Sequence, residues 1–176
     1  SKKGGEMNNK IICFHNPWEE NGYLSNWYIS DFIIDELKFS SVEKYMMFQK
    51  ALVFNDIKSA AMILRIDNVE QIKNIGRQVS GYDEQVWNGL RQIVVYEGNL
   101  AKFQQNEFLK DYLLKTGEAV IAECAVKDRI WGTGLSMSDK NRFDISKWKG
   151  QNLLGWTLVK VRERINLGQV ETEMNA

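Results

Sequence analysis

Glu43 and Lys50 stand seven residues apart in SVEKYMMFQKA (41–51), among Val42, Tyr45, Met46, Met47, Phe48 and Ala51. Around a helix, Met47, Lys50 and Phe54 all fall within about 40° of Glu43, so both charges share a stripe with large apolar groups. Tyr45, Phe48 and Leu52 cover the opposite face, and only Lys44 and Gln49 read as solvent positions. A helix that is apolar nearly all round is buried, and buried charges are costly unless they are paired or used. Burial disfavours both charged forms, drawing the lysine toward a neutral amine and the glutamate toward a proton donor. Two structural readings compete with this chemistry. Ser40 and Glu43 fit a capping box, and Lys50 could carry its amine to water past Met46 and Met47.

Other residue types suited to a ligand cluster elsewhere. Trp27, Trp131 and Trp148 lie in loop-like stretches, where they plug a core or stack a nucleobase, and Trp87 at the start of a long helix suits either role. Gly132 and Gly134 in WGTG bracket backbone that either turns or approaches a phosphate. Asp128 precedes Arg129 and Trp131, and Gly76-Arg77 follows a helix, so Arg77 either grips an anion or satisfies terminal carbonyls. Together these predict a pocket for a nucleotide-like ligand around the Glu43–Lys50 helix.

Composition narrows the chemistry. A chain of 176 residues, 44% hydrophobic, suits one domain with a full core. Lys+Arg 23 against Asp+Glu 23 gives no net charge, so any polyanion contact is expected to be local. Only Cys13 and Cys124 are present, which is neither a disulfide framework nor a C-x-x-C metal site. The single histidine, His15, leaves little from which to build a Ser-His-Asp triad or a multi-histidine metal centre. Carboxylates and lysines must therefore carry any chemistry, with no metal and no redox cofactor. No apolar run reaches the ~18 residues of a membrane helix, and the N-terminus lacks a signal peptide's apolar stretch, so a soluble cytoplasmic protein is expected. Residues 1–6 read as a tag or disordered tail, ahead of one domain over 7–170.

The elements that must position these groups are mostly helical. KIICF (10–14) and FIIDELKF (32–39) predict short strands, the second folded around Asp35-Glu36. Helices are expected over 41–55, 56–66 and 68–76, the last ending on Gly76, followed by 83–106 and 107–117. AVIAECAV (119–126) reads as a strand, 128–150 as a long loop and 151–167 as a final helix, after which VETEMNA trails off.

In order along the chain, GYLSNWY, SVEKYMMFQKA, GNLAKFQQN, DRIWGTGL and WKGQNLLGWTLVKVR resemble the successive motifs of the YbiA/NADAR family. The resemblance spans roughly 22–165. It implies a mostly α, compact single domain with a small antiparallel β element (α+β), associated with ADP-ribose, NAD-like ligands and hydrolysis of N-glycosidic bonds. Activities reported for the family include cleavage of a riboflavin-pathway ribosylamine and removal of ADP-ribose from guanine in nucleic acid. Carried over by motif, Glu43 is the general acid/base and Lys50 acts on the sugar's anomeric carbon. Asn26, Trp87, Asp128 and Trp131 shape the ligand pocket. The implied mechanism opens the ribosyl ring to an imine, which Lys50 exchanges for a Schiff base. One departure stands at Lys44, where many relatives have histidine.

The sequence thus predicts an N-glycosidase acting on an N-ribosyl linkage, with ADP-ribose or a phosphoribosyl small molecule as ligand, ADP-ribosylated DNA or RNA as a further partner, and no membrane. The alternative is a non-catalytic ADP-ribose or nucleotide-binding module that keeps the aromatic pocket.

Overall fold

The computed structural model describes residues 10–176, so the readings of residues 1–6 as a tail and of Met7 as the domain start lie outside the described residues. Among the described residues six α-helices and four short strands form. In order they are β1 (Ile11–Phe14), β2 (Phe32–Ile34), β3 (Leu37–Phe39), α1 (Val42–Val53), α2 (Ile57–Leu64) and α3 (Val69–Arg77), then α4 (Glu84–Gln105), α5 (Glu107–Lys115), β4 (Val120–Glu123) and α6 (Leu153–Met174). No helix among the described residues is long and apolar enough to cross a membrane.

The expected antiparallel element is the β2–β3 hairpin, in which Phe32 pairs with Phe39. Asp35 and Glu36 both take positive φ (51° and 66°), the left-handed pair that a two-residue hairpin loop requires. A second pair was not legible in the local pattern: β1 lies parallel to β4, with Ile11 opposite Val120 and Phe14 opposite Glu123. Parallel partners need a long crossover, and here that crossover contains α1 to α5.

Helix α1 packs against α2, α3 and α4, and so runs through the middle of the helical layer. Its burial follows from the apolar ring read above, since Val42, Tyr45, Met46, Met47, Phe48 and Ala51 all join the core. Two details differ from expectation. The N-cap is Ser41, whose Oγ accepts the Lys44 N–H at 3.1 Å, while Ser40 Oγ donates to Asp67 Oδ1 at 2.7 Å. No Ser40–Glu43 capping box therefore ties up the glutamate. Lys44 is also no solvent residue, being buried with its amine donating to Asp67 Oδ1 at 2.9 Å and to the Leu64 carbonyl at 3.2 Å.

Gly76 lies inside α3 rather than beyond its end, and its reason is packing: an added Cβ would strike the Met47 side chain of α1. The final helix continues to Met174 where the chain was expected to trail off. Along these mostly exposed last turns Thr172 Oγ1 donates to the Gly168 carbonyl at 2.9 Å, and Arg164 reaches Glu171 at 3.9 Å.

Candidate functional site

Three elements converge on the Glu43 face of α1. Its own first turn is anchored from the loop after β1, because the Asn26 carbonyl accepts the Glu43 N–H at 3.0 Å. That loop is held in turn by α4. Lys102, fully buried, donates through Nζ to the carbonyls of Tyr23 (2.6 Å) and Ser25 (3.0 Å), and Asn99 Nδ2 donates to Asn26 Oδ1 at 3.1 Å. The stretch GYLSN is thus clamped by GNLAK, with two polar side chains on an otherwise apolar helix face as the clamps.

Glu43 is only 6% exposed, and desolvation pushes its carboxyl up to about 7, against the pull of Lys73, Lys50 and Arg77 and with a small push from Asp128. Lys50, one face along the helix, is half-buried, and its amine is held below the ordinary lysine range by desolvation, with Glu43 pulling the other way. The Lys50 amine sits over the Tyr82 ring, 4.6 Å from its centroid, and Tyr82 is braced edge-on by Phe54 at 5.4 Å. An acid that keeps its proton near neutrality thus shares one helix face with an amine that gives its proton up more readily than usual. Both shifts run in the direction expected from burial.

Around the pair stand groups from α3, β4 and the following loop. Arg77 closes α3, exposed at its last turn. Lys73, one turn earlier, lies over the Trp27 ring at 5.4 Å. From the 124–135 loop, Asp128 Oδ1 accepts the N–H groups of Ile130 (3.0 Å) and Trp131 (2.8 Å), a turn that presents half-buried Trp131, with Arg91 over its ring at 5.8 Å. Glu123, the last residue of β4, is driven up to about 8, first by desolvation and then by Asp128 and Glu43.

The remaining sequence candidates sit within packed or hydrogen-bonded surroundings. Trp87 is 6% exposed within the core cluster. Gly132 has ordinary φ and sits where a Cβ would press on the carbonyls of Asp128 (2.9 Å) and Glu123 (3.0 Å), its own carbonyl accepting the Asn152 N–H at 3.0 Å. The left-handed glycine of WGTG is Gly134, φ 74°. Trp148 is a plug, its Nε1 donating to the Arg142 carbonyl at 2.9 Å and its ring packed on Trp156. Lys44 is committed to Asp67 and the Leu64 carbonyl.

Glu123, Lys73, Tyr82, Asn99 and Lys102 were not singled out from the sequence. Glu123 did leave a signal, being the one charge in AVIAECAV. Asn99 and Lys102 left another, polar residues one turn apart beside buried Val95 and Phe103. Lys73 left none, since it reads as an ordinary surface position of an amphipathic helix. Among the described residues no group of three or more His, Cys, Asp or Glu is placed to hold a metal ion. The open groove between α4 and α6, bordered by Ile93, Tyr96, Thr157 and Leu167, is lined by none of these charged groups.

Residues 13–166 match the family model described as NADAR domain. The chain belongs to the NADAR family. Its relatives include the N-glycosidase R617 of Acanthamoeba polyphaga mimivirus, 39% identical over 126 residues, which are 72% of this chain and 74% of that protein. A riboflavin biosynthesis protein of Vibrio vulnificus (strain YJ016) is 29% identical over 88% of this chain but only 38% of its own length. The NMR structure of the Escherichia coli protein YbiA superposes with a TM-score of 0.78 at 27% identity, covering 94% of this chain and 90% of that one. The same YbiA is named an N-glycosidase. The NADAR domain here is thus mostly helical with a small antiparallel element, as the motifs implied.

Proposed function

We propose that this NADAR protein is an N-glycosidase, a hydrolase that breaks the bond between ribose C1′ and a base or amine nitrogen. The carrying observation is the pairing on α1 of a buried carboxyl raised to about 7 with a half-buried lysine amine held below its ordinary range. Relatives named N-glycosidases support the same reaction class.

In this reading Glu43 moves protons at the ribosyl ring, opening it to an imine, and Lys50 takes C1′ as a Schiff base that water then hydrolyses. Asn26 and Asp128 keep the first turn of α1 and the Trp131 turn in place. Trp131 and Trp27 offer aromatic faces for a base, and Arg77 with Lys73 supplies cations for a phosphate. The ligand is an ADP-ribosyl or phosphoribosyl group, carried either on guanine in nucleic acid or in a small ribosylamine phosphate of the riboflavin pathway. The zero net charge leans toward the small molecule, while Lys73 at Trp27, Arg77 acting on Glu43 and Arg91 at Trp131 supply the local positive charge that a nucleic acid would need.

A mass-spectrometric release assay tests this. Wild type and Glu43→Gln are each given an oligonucleotide with ADP-ribosylated guanine and, separately, the ribosylamine phosphate. Release by wild type alone establishes the glycosidase and names its substrate. Borohydride added during turnover should leave the sugar on Lys50, and clean turnover with nothing trapped would replace the Schiff base by direct hydrolysis assisted by Glu43. Silence on both substrates with tight ADP-ribose binding would leave a binding module.

A further inference from the structure

If Lys50 takes C1′ from a departing nitrogen, as proposed above, protons must leave the amine and reach that nitrogen while both are bonded to one carbon. To leave as an amine the imine nitrogen must gain two protons; Nζ supplies one through Glu43, so a second, protonated carrier must supply the other. Asp128 is committed, its Oδ1 already accepting two backbone N–H groups. The Lys73 amine is engaged elsewhere, over the Trp27 ring.

Glu123 remains. Its backbone is fixed on both sides, the N–H donating to Asn152 Oδ1 at 2.9 Å and the carbonyl accepting the Thr133 N–H at 2.8 Å. Asn152 also donates to the Ile121 carbonyl at 2.9 Å, so the end of β4 is locked to the start of α6. Its Oε2 is sealed from solvent with no hydrogen-bond partner, although the residue as a whole is partly open. Most buried polar atoms are paired, and among the described residues only Asn99 Oδ1 and Arg142 Nε share this condition. The charges that act on it are Glu43 from α1, Asp128 from the loop, Cys124 beside it on the chain and Lys73 from α3. Desolvation first, then Asp128 and Glu43, hold the Glu123 carboxyl toward its protonated form against the pull of Lys73.

We propose that Glu123 is the second proton carrier of the site, protonating the leaving nitrogen while Glu43 takes a proton from Lys50. As Nζ bonds to C1′ of the ring-opened imine, its surplus proton passes to the Glu43 carboxylate, and Glu123 protonates the imine nitrogen. Glu43 then passes its proton to the same nitrogen. The C1′–N bond breaks with its electron pair on nitrogen, and the Nζ lone pair closes the iminium. Water adds to C1′ and returns a proton to Glu123. The new hydroxyl proton travels through Glu43 to Nζ as the C1′–Nζ bond breaks, leaving an aldehyde and both carboxyls as they began.

The test compares wild type, Glu123→Gln and Glu123→Ala on whichever substrate wild type cleaves, with circular dichroism as the check on folding. Wild-type kcat/KM should fall on the alkaline side as Glu123 ionises. Glu123→Gln should lose about 100-fold near pH 7, within the range for removal of a general acid, and its residual rate should lack that alkaline fall. Formate should restore part of the rate of Glu123→Ala, because a small acid can occupy the gap. Loss without rescue and with the alkaline limb unmoved would mark a structural role and overturn the assignment, as would variants within threefold of wild type. A wild type that releases nothing overturns the glycosidase reading itself, and this assignment with it.

Discussion

Asn99 Nδ2 donates to Asn26 Oδ1 at 3.1 Å across the buried seam between α4 and the loop that carries the Glu43 N–H acceptor. The link runs from α4 through Asn26 to the first turn of α1. Replacing Asn99 by Ala leaves Asn26 Oδ1 buried without a donor, which should cost about 1–2 kcal/mol of stability. It should also lower kcat/KM more than it lowers the melting temperature warrants, because Asn26 is then free to shift beneath Glu43. Urea denaturation and release kinetics on the same samples check both effects.

Lys102 supplies a pH signature. Burial draws its amine down to about 7 in the fold, against an ordinary lysine value of 10.5 in the unfolded chain, even though two backbone carbonyls accept its protons. Between those values the unfolded chain binds more protons than the native one, so this group makes stability rise with pH. The contribution is complete above 10.5 and is lost as pH falls through about 7. Lys102→Met should abolish that rise, so the stability difference between wild type and variant, measured by urea unfolding from pH 7 to 10, should grow with pH in favour of wild type.

Glu43 carries the opposite sign. Its folded value of about 7 lies above the ordinary 4.5, so the native state holds a proton that the unfolded chain gives up. Its stabilising share is full below pH 4.5 and is lost as pH rises through about 7. Glu43→Gln removes the titration while keeping the shape of the neutral acid. It should therefore stabilise the protein at pH 8 by up to about 3 kcal/mol and leave it nearly unchanged at pH 4.5. Activity should fall by about 100-fold or more. A residue that stabilises when removed and inactivates when removed is one retained for function.

Asp128 offers a cleaner electrostatic test. Asparagine keeps an Oδ1 acceptor for the Ile130 and Trp131 N–H groups, so the turn should survive. The charge that helps hold both Glu43 and Glu123 above the carboxylate range is lost, and both should ionise at lower pH. The alkaline limb of kcat/KM for Asp128→Asn should accordingly move to lower pH, with the melting temperature close to wild type. An unmoved limb would mean that neither carboxyl governs it.

The local pattern by itself determined most of the elements and half of the site. Helix α1 was legible because an all-round apolar helix can only be buried, and Glu43 and Lys50 stood out as charges on it. The β2–β3 hairpin was legible because its pairing lies within eight residues. Tertiary structure alone decided the rest. The β1–β4 pairing joins segments more than a hundred residues apart, and no local pattern encodes such a partner. Whether Ser40 or Ser41 caps α1, and whether Lys44 faces water, turned on Asp67, a residue beyond α2. Lys73, Tyr82 and Glu123 joined the site for the same reason: each is unremarkable within its own element, and only the packing of α3, the turn after it and β4 against α1 brings its charge or ring to bear on Glu43 and Lys50. Periodicity reports which face of an element is buried, while chemistry between elements depends on which faces meet, and that is set by the close packing of the whole core.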